Sequence, residues 1–158
     1  MLLAMSDEAL PLANRCMTLV ARLDITAAED CLLVARIQCA RRDFEEAARR
    51  LAWVRSHIAA EDLTGLNAAM ARLVELQIQA NEGSAVEAED WDAVFDAIAA
   101  TTVIDEAVEA LYIAATWARG LGRSALVSRW IARAREISKD SPIWKERLLA
   151  VSPETTAT

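Results

Sequence analysis

His57 is the only histidine in the chain, and Cys16, Cys31 and Cys39 are its only thiols. One imidazole cannot make a histidine pair for a metal, and no cysteine lies near it at zinc-ligand spacing. As a general base His57 would need an orienting group, and the sequence marks none. It falls near the end of a helix, where a protonated ring suits the dipole, so a structural or exposed role is expected. The cysteines are odd in number, lie in helical stripes and show no paired spacing, so reduced core thiols in a cytoplasmic protein are expected.

The other chemical signals are equally sparse. Gly120-Leu121-Gly122 is two glycines at a helix end, explained by capping rather than by a phosphate loop. The carboxylates are dispersed, and none shows the Glu-x-x-His pattern of a di-iron bundle. One acidic run, Glu87, Glu89, Asp90, Asp92 and Asp96, reads first as a solvated face, with a docking strip for a basic partner as the alternative. The five tryptophans, Trp53, Trp91, Trp117, Trp130 and Trp144, bury large areas and suit packing between helices. Trp53 and Trp117 fall off the main stripe of their helices, as second-side core or as exposed anchors. No catalytic residue, cofactor or metal is expected.

The elements behind these residues are helical. Thr26-Ala27-Ala28-Glu29 and Asp43-Phe44-Glu45-Glu46 both have the capping-box form. Leu33, Val34, Ile37 and Ala40 follow the first cap at helical spacing. Phe44, Ala47, Ala48, Leu51, Val54 and Ile58 follow the second. A break of about two residues at Arg42-Asp43 forces the pair antiparallel.

Further helices are expected on either side of this hairpin. Pro11 opens an N-terminal one with Leu12, Cys16, Leu19, Val20 and Leu23 on its stripe. Leu63 to Ala80 is broad enough in its apolar stripe to be contacted on more than one side, and Asn81-Glu82-Gly83-Ser84 breaks it. Trp91, Val94, Phe95 and Ile98 mark the next helix. Thr101-Thr102 caps one carrying Ile104, Val108, Leu111, Ala115 and Ala118. Ser124 starts one carrying Val127, Trp130, Ile131 and Ala134. Ser141-Pro142 starts a short last helix with Trp144 and Leu148. Ala115 falls 80 positions after Ala35, two units of about 40, and internal repetition at such a period is the signature of a solenoid. The Ser84–Asp90 segment throws the middle unit out of register.

The run Val34-Ala35-Arg36-Ile37 followed by Arg42-Asp43-Phe44-Glu45-Glu46-Ala47 resembles a tetratricopeptide repeat. Its longer variant is similar to the sensor region of large maltose-regulator-type bacterial transcriptional regulators. Gln38 stands where that family has tyrosine, Arg42 replaces the turn glycine, and no proline closes the unit. The resemblance implies an all-α fold of antiparallel helical hairpins stacked as a right-handed superhelix over residues 1–151. A C-terminal capping helix would close the array, before a disordered tail at 152–158. It also implies a concave groove lined by the first helix of each hairpin. Leu32 and Arg36, with Glu29 and Cys39, would come from the first, Arg72, Leu76 and Gln79 from the second, and Tyr112, Thr116 and Arg119 from the third. Arginines there suit a carboxylate or an acidic peptide.

Composition bounds the partners. Lys plus Arg is 17 and Asp plus Glu 24, a net charge of −7, which disfavours direct nucleic-acid or anionic-membrane binding. The mean hydropathy of +0.17 is high, yet no stretch has the 18 unbroken apolar residues of a membrane span. A large buried fraction or a homo-oligomer interface accounts for it. The leading expectation is a noncatalytic module for a protein or peptide. Small-molecule binding in the groove comes second, and an enzyme in an apolar pocket last.

Overall fold

The computed structural model describes residues 24–58, 63–101, 104–139 and 141–151. The expected helix through Leu12 and Leu23, Cys16, and the tail at 152–158 lie outside them. Among the described residues the protein is all helical, with no strand: α1 (Asp24–Ala40), α2 (Phe44–His57), α3 (Gly65–Asn81), α4 (Ala88–Ala99), α5 (Ile104–Gly120), α6 (Ser124–Ser138) and α7 (Pro142–Val151). No helix among them is long and apolar enough to cross a membrane. The chain divides into two compact units, Met1–Val86 and Glu87–Thr158.

In the first unit α1 and α2 form an antiparallel hairpin, and α3 packs on both. Helix α1 ends in a Schellman turn. The Asp43 N–H donates to the Gln38 carbonyl at 2.9 Å and the Arg42 N–H to that of Cys39 at 3.0 Å, with Arg42 at φ 64°. That left-handed conformation satisfies two orphan carbonyls and reverses the chain. Asp43 then caps α2, accepting from the Glu46 N–H at 3.2 Å. The Glu46 carboxylate turns forward instead of back, to Arg49 at 2.9 Å and Arg50 at 2.5 Å. The core joins Cys31, Leu32 and Ala35 of α1, Leu51 and Val54 of α2, and Val74 and Ile78 of α3. Deleting a side chain the size of Leu51 from such a core costs about 2–5 kcal/mol. Asn67 Nδ2 donates to Glu29 Oε1 at 2.9 Å, setting the first turn of α3 beside the second turn of α1.

In the second unit α5 and α6 form the hairpin, α4 packs on α5, and α7 packs on both α5 and α6. The turn repeats the first one. The Arg123 N–H donates to Ala118 at 2.9 Å and the Gly122 N–H to Arg119 at 3.0 Å, with Gly122 at φ 68°. Helix α3 closes in the same way, Ser84 to Gln79 and Gly83 to Ala80, with Gly83 at φ 76°. The connection from α3 to α4, residues 82–87, is longer than the breaks within the two hairpins, and Val86 in it is buried. Trp91, Val94, Phe95 and Ile98 are all buried, as are Val127, Trp130, Ile131 and Ala134, and Trp144 and Leu148.

Several expected boundaries shift. The chain is already helical at Asp24, so Thr26 sits within α1 and is not its cap. Ser124 is the first residue of α6, and Arg123 occupies the cap position without a side-chain bond. Thr101 closes the preceding helix, its hydroxyl donating to the Ile98 carbonyl at 2.7 Å, while Thr102 lies outside the described residues. Ile104, placed on the apolar stripe of α5, is 58% exposed. Ala40, at the last turn of α1, is exposed as well.

Candidate functional site

Helices α2 and α3 leave an open groove of about 510 Å³ between them. Ala48, Leu51 and Ile78 make an apolar floor, and Ala52 is too small to fill the space above it. Arg55, Ser56, Glu75 and Gln79 stand along the rim. Ala48 and Ala52, one turn apart on α2, are both small, and position 52 is exposed, which leaves the space of the groove open.

Among the described residues the groove's charges stand on its rim. Arg55 Nη2 lies 2.9 Å from Glu75 Oε1, and Arg72 Nη1 lies 2.8 Å from Glu75 Oε2. Burial pushes the Glu75 carboxyl up. The hydrogen bond from Arg72, then that from Arg55, and the charges of both outweigh burial and hold it below the ordinary carboxylate range.

The residues expected to line one groove are distributed otherwise. Gln79 lines the α2–α3 groove and Arg72 supports its rim. Leu32 is 2% exposed, within the first unit's core. Leu76 is 0% exposed, on the side of α3 opposite Val74 and Ile78. Both offer no surface. Arg36 is half-buried and engaged in interactions of its own. Helices α1 and α3 are apolar nearly all round, so periodicity gives no direction by which to separate core from groove.

On α5 two of the expected residues, Tyr112 and Arg119, serve α7. Tyr112 packs on Trp144 with ring centroids 6.2 Å apart. Arg119 Nη1 donates to the Ala150 carbonyl at 2.6 Å, satisfying an orphan acceptor at the end of α7. The Thr116 hydroxyl donates to the Tyr112 carbonyl at 2.9 Å. Arg119 is thus engaged with the chain's own backbone.

The acidic strip is likewise engaged from within. Asp92 accepts from Trp130 Nε1 at 2.8 Å and pairs with Arg129. Asp96 pairs with Arg133 at 2.8 Å, whose guanidinium lies 3.8 Å over the Phe95 ring. Asp90 accepts from the Glu87 N–H at 3.1 Å and caps α4. The basic partner of Asp92 and Asp96 is α6 itself.

Trp117, off the main stripe of α5, is half-buried between Trp91 and Trp130, at 5.5 and 6.3 Å. Trp53 is half-buried against the first unit's core. His57, the last residue of α2, is exposed and stacks on Trp53 at 4.2 Å, its Nδ1 2.9 Å from the Trp53 carbonyl. Cys31 and Cys39 are buried free thiols. Burial pushes the Cys39 thiol up to about 12. Burial also raises Cys31, against the opposing pull of Arg50. Among the described residues no group of three or more His, Cys, Asp or Glu could hold a metal ion.

Of the groove's lining only Gln79 is among the residues that the resemblance implies; periodicity puts Ala48 on the apolar stripe of α2, and nothing in the sequence marks Arg55. The readable signal was the pair Ala48 and Ala52, small residues one turn apart. No family model, curated protein or solved structure matches the chain.

Proposed function

We propose that the chain is a noncatalytic binding module, built of tetratricopeptide-like hairpins wound as a right-handed superhelix, and that its α2–α3 groove receives a peptide or protein segment. Two regularities support the repeat reading. Helices α1, α3 and α5 close in the same Schellman turn, at Arg42, Gly83 and Gly122. Side-chain bonds between successive like helices also recur at nearly constant separation: Asn67 to Glu29, Arg133 to Asp96 and Trp144 to Asp105 span 38, 37 and 39 positions. A constant offset is what parallel helices one repeat apart produce. In this reading α7 is the terminal cover, and such a module would suit a regulator's sensor or adaptor region.

The observation that carries the binding role is the groove itself, an apolar floor with a charged rim. Its volume lies within the range of small-molecule sites, which favours a small effector as the second reading. Its open form favours a chain segment.

A photo-crosslinking residue at Ala52 tests the assignment, with one at exposed Ala93 on α4 as control. A peptide site gives polypeptide adducts from native cytosol at 52 and none at 93. Equal adducts at both positions would remove the groove from consideration. A metabolite that raises the melting temperature of wild type and not of Ala52→Trp would favour the second reading.

A further inference from the structure

The rim gives the groove a sign. Glu75 divides its carboxylate, Oε2 to Arg72 and Oε1 to Arg55, so among the described residues Arg55 has only part of one counter-charge. Its contact to Glu75 uses one nitrogen of a guanidinium with five N–H donors. The Arg55 side chain is 55% exposed at the lip of the groove. The other polar lining groups, Ser56 and Gln79, are neutral. In a chain of net charge −7 this is a local shortage of negative charge beside an apolar floor.

We propose that the groove selects a peptide segment carrying a bulky apolar side chain with an aspartate or glutamate close to it. The apolar group seats on Leu51 and Ile78, and the carboxylate takes the remaining donors of Arg55. This rests on the groove being a peptide site. A purely apolar segment would cover Arg55 and strip its water without replacing it. A basic segment would meet a like charge. An acidic one forms charge-assisted hydrogen bonds to a guanidinium that is already fixed in place.

The geometry also makes Glu75 a competitor of the ligand. Its carboxylate occupies the cation that the incoming acid seeks, so neutralising it strengthens binding. A purely structural role for Glu75 would give the opposite sign.

A random dodecapeptide phage library selected on the full chain tests this, with the dominant clone remade as a labelled peptide for anisotropy. Selected sequences are expected to pair a bulky apolar residue with Asp or Glu. Arg55→Glu should weaken the peptide at least about tenfold, as loss of a charge-assisted bond implies. Glu75→Gln should tighten it by about threefold or more. Ala52→Trp should abolish binding by filling the groove. Circular dichroism checks each fold, and Arg55→Gln replaces Arg55→Glu should the latter unfold.

Selected peptides without acids, still blocked by Ala52→Trp, overturn the charge preference and leave the groove standing. Peptides indifferent to Ala52→Trp, or no enrichment at all, overturn both. Weaker binding by Glu75→Gln with the fold intact overturns the competition.

Discussion

Trp130 Nε1 donates to Asp92 Oδ1 at 2.8 Å, joining α6 to α4 across 38 positions of sequence. The indole is 1% exposed, and the second carboxylate oxygen pairs with Arg129. Asp92→Ala leaves that buried N–H without its acceptor and should cost about 1–3 kcal/mol. Asp92→Asn keeps an oxygen for Trp130 and loses the ion pair and hydrogen bond to half-exposed Arg129, worth about 1 kcal/mol or less. Urea unfolding followed by tryptophan fluorescence separates the two, and equal losses would count against the indole bond.

Arg42 and Gly122 occupy the same turn position at φ 64° and 68°. An L side chain in that region costs about 1–2 kcal/mol, partly offset by the greater chain entropy that glycine loses. Arg42→Gly should therefore stabilise by up to about 1 kcal/mol, and Gly122→Ala should destabilise by about that much. Thermal unfolding of both variants measures it. A drop in melting temperature for Arg42→Gly would show that the arginine side chain has a stabilising role in the turn.

Glu75 makes stability acid-sensitive. Its folded pKa lies below the ordinary 4.5 because the two arginines outweigh burial. The unfolded state thus takes up the proton first as pH falls. The stabilisation is complete above about 4.5 and is lost as pH drops through the lower folded value. Glu75→Gln should flatten this limb in a series of urea midpoints against pH, and an unchanged limb would assign the acid sensitivity to other groups.

Cys31 and Cys39 should resist alkylation while the protein is folded. At about pH 8 iodoacetamide reacts with thiolate, and the Cys39 thiol sits near 12 behind its burial. Peptide mass spectrometry should find both unmodified in native protein and labelled in guanidinium. The unfolded thiol ionises near 9.0 and the folded one only far above it. Stability from Cys39 therefore declines with rising pH between these values. Rapid native labelling would mean that α1 opens locally.

Several features of the fold were legible because polar residues frame them. On α4 and α6 the residues between Trp91, Val94, Phe95 and Ile98, and between Val127, Trp130, Ile131 and Ala134, are mostly charged or small. One face of each helix was therefore the only apolar choice, and both stripes are buried. Asp43, Gly83, Gly122 and Ser141-Pro142 stop or start helices through backbone chemistry local to a few residues, which needs no partner to be read. The groove was not legible in this way. The repeat resemblance places Leu32 and Leu76 in a groove, whereas both are buried, because which side of a helix a neighbour covers is set by packing and not by position in a repeat.

By itself the sequence determined that the described residues are helical, where most of the helix ends fall, and that the short breaks at Arg42-Asp43 and Gly120-Leu121-Gly122 turn the chain back on itself. Capping, turn chemistry and the 3.6-residue period are local properties. The tertiary structure alone decided that Arg119 would hold the Ala150 carbonyl, that Asp92 would meet Trp130, and that Ala52 would leave a groove beside Arg55. Those depend on which helix lies against which and at what offset. Neighbouring residues cannot encode that, because it follows from how distant surfaces fill space together.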